Sequence, residues 1–588
     1  MWPFSSPAHT TCSVKDVDQR SFDYIIVGGG TGGCVLASRL SEDKDVTVLL
    51  IERGPVVDSW YSRVPLLSVD FRDDRSPTYQ WKSVVNAAAS KVVGPINMIS
   101  GKALGGTSKV NAFCYTRSVP GEFNSWASQG RKGWSWTDVE PYFRKSETSL
   151  SNGEASHRGS SGLWHNQQLS EMYFRNTNEI LEAAESLGIP RQKDIHDPAV
   201  PPYSCGLLDV TVDETGRRHS TFDAFLPPEV TSRPNLSVCI ESIVTRLDIK
   251  HDDDGIRVAG VYLESSAADT SSAAVKCYAS VSREVIMCAG VIANPQILML
   301  SGLGPKRHLK EMGIAVVKDL PGIGSHLQDH PSIPLIYKVP RNECLHDLEY
   351  NPLRALWHTL RYVFTGTGLL LSPCPQLVIF AKSKLLDEQS QTVPTATSAD
   401  SHAPDNVPDI EITCCPFNMS PGLALPGGDG ALTLACMLLK PRSAGSVRLT
   451  SLNAHDRPAC DLAYLSAPED YAAARAALKL GLALGRQCRA QGHAMRDALV
   501  PASEADADLD AHARTHACST YHYSSTCRMA PEAERGVVDD VLRVHGVRNL
   551  RVADASVFPD VPAAHPQAPV VMVAERCADF VKAARRET

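Results

Sequence analysis

Gly28, Gly30 and Gly33 follow one another in a G-x-G-x-x-G pattern near the start of the chain. In such a pattern the first glycine permits a tight turn, the second lets the backbone approach a pyrophosphate, and the third lets a helix pack closely on a strand. The free N–H groups of Thr31 and its neighbours at the helix start would face the phosphate charge. Glu52, further along, can accept hydrogen bonds from a ribose. The four positions and Thr31 therefore predict a dinucleotide site.

The segments around these residues have the order strand, helix, strand. Residues 24–27 form a short apolar run typical of a buried parallel strand, and Val35, Leu36 and Leu40 predict the apolar face of the helix. A second apolar strand is predicted over 46–51. The glycine pattern alone is common at turns between strand and helix, but both strands together with the acidic residue favour nucleotide binding. The motif does not distinguish FAD from NAD.

A second cluster of glycines, Gly101, Gly105 and Gly106, precedes the small polar pair Thr107 and Ser108. Glycines at such spacing indicate a second place where the backbone must come close to another group. The alternative is a turn that happens to be rich in glycine. The residues that follow this cluster decide between the two interpretations.

The segment 101–111 resembles the first signature of the glucose–methanol–choline (GMC) family of flavin oxidoreductases, G-(R/K)-x-L-G-G-(S/T)-S-x-x-N. Residues 290–304 are similar to the second signature, with Val291 where the family usually has alanine. The L-Q-D-H sequence at 327–330 resembles another stretch typical of the family. Recognisable motifs run from residue 23 to about 580, so the resemblance covers nearly the whole chain.

This resemblance implies an α/β fold with a Rossmann-like FAD-binding domain and an interleaved α+β substrate-binding domain, built from an antiparallel sheet plus helices. Between the motifs, residues 468–491 have a strongly helical composition, and residues 385–410 predict a mobile polar surface loop. The implied FAD-binding domain comprises 20–165, 210–330 and 520–588, the substrate-binding domain 166–209 and 331–519, and residues 1–19 form an N-terminal extension.

The resemblance also implies how the chain holds FAD. Val244 would meet the adenine end through its backbone, although a plain buried β-hairpin over 235–247 is the alternative interpretation. Some family members bind FAD covalently through a histidine where this chain has Val110, so non-covalent FAD is expected. The remaining residues implied at the cofactor are Gly105, Thr107 and Asn111 beside the flavin, Asp554 and Ala555 near the pyrophosphate, and Pro566 and Gln567 near the pyrimidine edge.

Two histidines match the catalytic positions of the family. His522 lies in H-Y-S-S-T-C, and His565 follows D-x-S in an A-H-x-Q setting that is most similar to aryl-alcohol oxidase-like members. Oxidation of an alcohol needs removal of the hydroxyl proton and departure of a hydride from carbon, and imidazole suits the proton step. We expect His522 to be the general base and His565 to bind the substrate oxygen; the reverse assignment is the alternative. His330 is expected to serve structure.

The implied function is FAD-dependent oxidation of a small-molecule alcohol, primary or benzylic, to an aldehyde or ketone, with O2 or another electron acceptor. A step in secondary metabolism is a further expectation. The alternatives are a flavin-retaining lyase or cyclase and a flavoprotein that only binds. An NAD enzyme would need a second nucleotide fingerprint.

Composition narrows the class of partner and location. With 58 basic and 66 acidic residues among 588, the formal charge is −8 and no long basic cluster predicts nucleic-acid binding. No apolar run is long enough to predict a membrane span. The first twenty residues lack the pattern of a secretory signal, so a cytoplasmic protein is expected. The seventeen cysteines show neither C-x-x-C pairs nor metal-ligand spacing, which favours reduced thiols and no metal site. The oligomeric state is left open.

Overall fold

A computed structural model describes residues 8–69, 77–85, 92–266, 276–372, 374–420, 422–425 and 428–587. The described helices, in chain order, are α1 (Val14–Val17), α2 (Thr31–Leu40), α3 (Trp60–Arg63), α4 (Pro120–Ser128), α5 (Trp136–Ser146), α6 (Asn176–Ser186), α7 (Thr221–Phe225), α8 (Pro228–Thr231), α9 (Gly290–Leu300), α10 (Lys306–Glu311), α11 (His346–Tyr350), α12 (Pro352–Thr365), α13 (Pro468–Ala490), α14 (Asp506–His516) and α15 (Gln567–Glu587).

The described strands, in chain order, are β1 (Ser21–Val27), β2 (Val48–Ile51), β3 (Thr78–Lys82), β4 (Asn97–Gly101), β5 (Cys114–Tyr115), β6 (Glu147–Ser149), β7 (Trp164–Gln168), β8 (Ser204–Leu207), β9 (Asp209–Val210), β10 (Leu236–Cys239), β11 (Ser242–Asp252), β12 (Gly255–Ser265), β13 (Lys276–Met287), β14 (Leu303–Gly304), β15 (Lys318–Asp319), β16 (Ser325–Leu327), β17 (Pro331–Val339), β18 (Leu377–Ala381), β19 (Ile410–Cys415), β20 (Gly430–Leu438), β21 (Gly445–Arg448), β22 (Ala459–Asp461), β23 (Arg496–Leu499), β24 (Cys518–Ser519) and β25 (Leu550–Val552).

The first large sheet is built around the strand–helix–strand unit at the start of the chain. Its order is β10-β2-β1-β13-β12-β11, and β25 also pairs with β13. The strands β10, β2, β1, β13 and β25 run parallel, whereas β12 and β11 are antiparallel additions. Strand β1 is buried from Tyr24 to Val27, since helix α2 packs on β1 and β2 and helix α15 packs on α2. The carboxyl ends of β1 and β2 therefore meet at one edge, where Gly28 and Glu52 follow.

The second large sheet is antiparallel, in the order β23-β17-β20-β19-β18-β8, with β24 pairing at the start of β17. Helix α13 packs on β17, β19 and β20. Strands β19 and β20 are buried at every residue, since the helix covers one face and other segments cover the other. The predicted α/β architecture with an antiparallel sheet plus helices is thus confirmed. The predicted domain limits stay a prediction.

The structure revises two local expectations. Strands β10 and β11 do not pair with each other: β10 lies parallel to β2, and β11 pairs with β12, so the hairpin interpretation of 235–247 is wrong. The polar segment 385–410 is hydrogen-bonded to itself, since the buried Asn406 side chain donates to the carbonyl oxygens of Ser398 and Asp400 at 2.8 and 2.7 Å. Other residues of the segment, 387–389 and 393–397 among them, are exposed, so it lies at the surface as expected, with part of it held by its own hydrogen bonds.

Two further features bear on the expectations from composition. No helix in the described residues combines the length and the apolar character required to cross a membrane. The seventeen cysteines all lie in the described part of the chain, and each is a free thiol.

Candidate active site

A single large cavity brings the predicted cofactor and catalytic residues together. Its volume is about 1540 Å³, above the range typical of a pocket for one small ligand, and its wall combines residues of both large sheets. The predicted site residues that line it are Gly28, Gly30, Thr31, Glu52, Thr107, Asn111, Val244, Asp554, Ala555, Pro566, Gln567, His522 and His565.

Two predicted residues, Gly33 and Gly105, do not line the cavity. A side chain at Gly33 would overlap the carbonyl oxygen of Gly28, which is the close packing of helix and strand that the motif predicts. Gly105 has φ +92°, and it turns the chain so that its neighbour Gly106 reaches the wall. Gly106 in turn lies against Gly30, where a Cβ would approach the Gly30 Cα to 2.7 Å.

Among the three glycines of the motif, Gly30 is the one that the packing of the protein does not require. Its φ of −78° suits any residue, and a Cβ there would come no closer than 3.8 Å to another protein atom. A Cβ at Gly28, by contrast, would overlap the backbone of Cys288. The open space at Gly30 faces the cavity at the start of α2, whose first turn has no acidic residue. This cradle fits a pyrophosphate held by helix N–H groups.

Glu52 is already engaged by the protein backbone. Its two carboxylate oxygens accept the N–H groups of Gly29 and Gly54 at 2.8 and 2.7 Å. Burial raises the pKa of this carboxyl to about 7, against the opposing effect of those N–H donors. Each carboxylate oxygen has a second lone pair, so a ribose hydroxyl can still donate to Glu52 from the cavity.

Asn111 is fixed between two partners at the cavity wall. Its side-chain NH₂ donates to Gln567 Oε1 at 2.9 Å, and its Oδ1 accepts from Arg218 at 2.9 Å. Arg218 is buried, and burial lowers the pKa of its guanidinium to about 9. Gln567 is the first residue of α15, so Asn111 and the start of this helix form one rigid surface. Sequence inspection did not single out Arg218.

Asp554 acts within the protein. Its Oδ2 accepts from the Gly290 N–H and from Asn294 at 2.7 and 2.8 Å, and its Oδ1 accepts from Ser556. These bonds tie the start of α9 to the loop after β25. The carboxylate therefore shapes the wall, while Ala555 beside it offers backbone to the cavity.

His522 lies in the loop after β24, where it contacts the buried residues Asp329 and His330. Its backbone N–H donates to Asp329 Oδ1 at 2.8 Å, and its ring Nδ1 lies 2.9 Å from His330 Nδ1. Burial, with the neighbouring His565 and His330, lowers the pKa of His522 well below the ordinary value. The ring is therefore neutral near pH 7, which is the state that a general base requires.

His565 precedes α15 and contacts the His522 ring edge to face at the cavity wall. Its ring centroid is 4.8 Å from that of His522, with the two planes inclined by 73°. Its backbone N–H donates to Thr116 Oγ1 at 2.6 Å, and its Nε2 lies 2.8 Å from Glu411 Oε1. Glu411 is fully buried on β19. A carboxylate in this position orients the imidazole and can balance a proton carried by the ring.

The structure thus adds Glu411, Asp329 and Arg218 to the predicted set. Asp329 stands immediately before His330 in the L-Q-D-H stretch, and Glu411 is an acidic residue inside the apolar run I-E-I-T-C-C. A charged residue in a buried strand is a signal that sequence inspection can detect. Nothing around Arg218 in the sequence indicates its role.

Comparison with known proteins identifies the family of the chain. Two family models described as GMC oxidoreductase match residues 22–332 and 441–574. The chain is 35% identical over 605 residues to "Dehydrogenase str4" of Strobilurus tenacellus, covering 96% of this chain and 94% of that protein. It is 32% identical over 589 residues to human mitochondrial choline dehydrogenase, covering 98% and 92%.

Comparison with solved structures shows that other enzymes share this fold. Formate oxidase of Aspergillus oryzae superposes with a TM-score of 0.84 at 27% identity, covering 97% of this chain and 99% of that chain. A fungal aryl-alcohol oxidase superposes with a TM-score of 0.80 at 23% identity, covering 97% and 100%, which shows the shared fold. The chain therefore belongs to the GMC oxidoreductase family of FAD-dependent enzymes that act on CH–OH groups.

Proposed function

We propose that the protein oxidises a small-molecule alcohol to the aldehyde or ketone, with His522 as general base and His565 as the partner of the substrate oxygen. The observation that supports this most directly is the pair of imidazoles in edge-to-face contact at the cavity wall, 4.8 Å apart between centroids. Both rings line the same cavity as the glycine cradle. Two rings in edge-to-face contact that both line the cavity can each present a nitrogen to the same hydroxyl group.

Each ring nitrogen has a distinct task in this proposal. His522 has its Nδ1 against His330, so its Nε2 is the atom that would take the hydroxyl proton. His565 has its Nε2 against Glu411, which leaves Nδ1 for the substrate oxygen. When bound, FAD supplies the hydride acceptor at flavin N5. The residues that would hold it are the cradle at Gly30, the Glu52 carboxylate, and the surface formed by Asn111 and Gln567.

We also propose that FAD is bound without a covalent link. Val110 lies buried at the cavity wall, and an isopropyl side chain has no atom that can bond to the flavin ring. Denaturing the yellow protein and passing it through a size-exclusion resin should leave all of the flavin in the small-molecule fraction. Flavin that stays with the unfolded chain would contradict this proposal.

The activity is tested by mixing the purified yellow protein anaerobically with aromatic, allylic and aliphatic alcohols in turn. Bleaching of the flavin absorbance by one class supports the proposal and identifies the substrate chemistry. Readmission of air then distinguishes O2 from another electron acceptor. Conversion of a substrate with no bleaching would instead favour the lyase or cyclase alternative. A cytoplasmic location and a role in secondary metabolism stay predictions.

A further inference from the structure

His330 contacts the proposed base from the side away from the cavity. Its Nδ1 lies 2.9 Å from the Nδ1 of His522, with the ring planes inclined by 84°. His330 is fully buried and does not line the cavity, so it cannot contact a substrate there. Its position is fixed, because the backbone N–H groups of His330 and His522 both donate to Asp329 Oδ1, at 2.9 and 2.8 Å.

The protons of the His330 and His522 rings can be arranged in two ways. Burial lowers the pKa of His330 to about 3 and the pKa of His522 well below its ordinary value, so both rings are neutral near pH 7. A neutral imidazole carries one N–H, and only one hydrogen fits between two nitrogens 2.9 Å apart. Either His522 donates from Nδ1 and has a bare Nε2, or His330 donates and the proton of His522 sits on Nε2.

The surroundings of His330 favour the first arrangement. Backbone groups of Leu439 and Pro562 act to raise the pKa of His330, against the larger effect of burial. Neither makes a hydrogen bond of standard geometry with Nε2. Nε2 is sealed from water and makes no hydrogen bond of standard geometry, and those backbone groups favour a proton on the ring. With its proton on Nε2, His330 presents a bare Nδ1 to His522.

We propose that His330 is a positioning residue that accepts the Nδ1–H of His522 and thereby keeps Nε2 of His522 unprotonated for the substrate hydroxyl. This inference rests on the proposed function, since it gives His522 the role of base. The group that sets a histidine tautomer controls which nitrogen is available, as the aspartate does in serine protease triads. His330 thus acts through His522 alone.

The test compares two variants of nearly equal shape. In His330→Asn the amide oxygen can take the place of Nδ1 as acceptor, whereas His330→Leu offers no acceptor. His512→Leu is the matched control, because His512 is also a buried histidine that hydrogen-bonds a backbone oxygen, Pro334 O at 3.0 Å, but lies outside the cavity wall. The measurement is the anaerobic rate of flavin reduction by an alcohol that reduces the unmodified holoenzyme.

We expect the flavin of His330→Leu to be reduced on the order of 100-fold more slowly than that of the unmodified protein. The rate in His330→Asn should come within about 10-fold of the unmodified rate, and the rate in His512→Leu should be unchanged. Equal rates for His330→Leu and His330→Asn would overturn the inference. If no alcohol reduces the unmodified holoenzyme, the proposed function fails separately.

A second measurement does not depend on activity or on the folding of a variant. Histidine ¹⁵N spectra of the unmodified holoenzyme, with the His522 signals identified by their loss in His522→Asn, report which ring nitrogen is protonated. The inference predicts a proton on Nδ1 of His522 and none on Nε2. A proton on Nε2 of His522 would overturn it whatever the rates.

Discussion

Gly30 offers a direct test of the proposed cofactor site. Its missing side chain leaves open space facing the cavity, so in Gly30→Val the new methyl groups would occupy the room that a pyrophosphate needs. We expect this variant to fold but to purify without flavin absorbance. Gly422→Val is the matched control, because no atom lies within 4 Å of a Cβ built at Gly422. A yellow Gly30→Val protein would contradict the placement of the pyrophosphate.

Glu52 links folding to pH. Its pKa is raised from an ordinary 4.5 to about 7 in the folded protein, so the folded state holds its proton more tightly than the unfolded chain does. The resulting stability is fully present below about pH 4.5 and is lost as pH rises through about 7, an effect of about 3 kcal/mol at most.

Urea unfolding of the FAD-free protein between pH 5 and pH 8 measures this dependence. Asp329, whose pKa burial raises to about 6, acts in the same direction, so the comparison with Glu52→Gln isolates Glu52. We expect a shallower fall in the free energy of unfolding for the variant. The same slope in both proteins would show that Glu52 does not titrate in this range.

Residues with a motif could be identified from the sequence, and those defined only by packing could not. Gly28, Gly30, His522 and His565 all stand in recognisable sequences, and the structure brings them to one cavity. Glu411 meets His565 only because β19 crosses beneath the loop before α15, a contact 154 residues away in sequence. The isolated charge in the apolar run of β19 is visible in the sequence, but its partner His565 is not, because a contact between distant segments leaves no local pattern.

Helix α13 depends on small residues where it crosses the second sheet. A Cβ at Gly481 would approach side-chain atoms of Leu335 and Cys436 at 2.7 and 2.8 Å. We therefore expect Gly481→Leu to lower the free energy of unfolding by about 1–3 kcal/mol, in spite of leucine's better helix propensity. Ala472→Leu, on the exposed side of the same helix, should change it by less than about 0.5 kcal/mol. Thermal unfolding followed by circular dichroism compares the two, and equal midpoints would contradict this packing.

Elements with strong periodicity were predictable, whereas their pairing was not. The helix expected over 468–491 is observed as Pro468–Ala490, because its apolar and small residues recur at helical spacing. For 235–247 the sequence indicates two strands and a turn but not their neighbours, and each strand pairs with a distant partner. The polar segment 385–410 looked mobile by composition, yet its side chains bond its own carbonyl groups.

At the scale of the whole molecule, the cavity proposed for the cofactor is lined by residues of both large sheets. A cavity of about 1540 Å³ between them has no protein side chains to fill it, so bound FAD should stabilise the fold. At a free concentration 100-fold above its Kd, a ligand of the folded state adds about 2.7 kcal/mol. We expect the melting temperature to fall when FAD is removed and to recover when it is added back. A melting temperature independent of FAD would contradict a cofactor site in this cavity.

The most direct test of the account is the stopped-flow rate of flavin reduction in the unmodified holoenzyme and in His522→Ala, under anaerobic conditions with the same alcohol. Because the alanine removes the base and leaves the glycine cradle intact, we expect a variant that retains FAD but is reduced about 100-fold more slowly or worse. An unchanged rate of reduction in a fully flavinated His522→Ala protein would remove His522 from the chemistry and contradict the account.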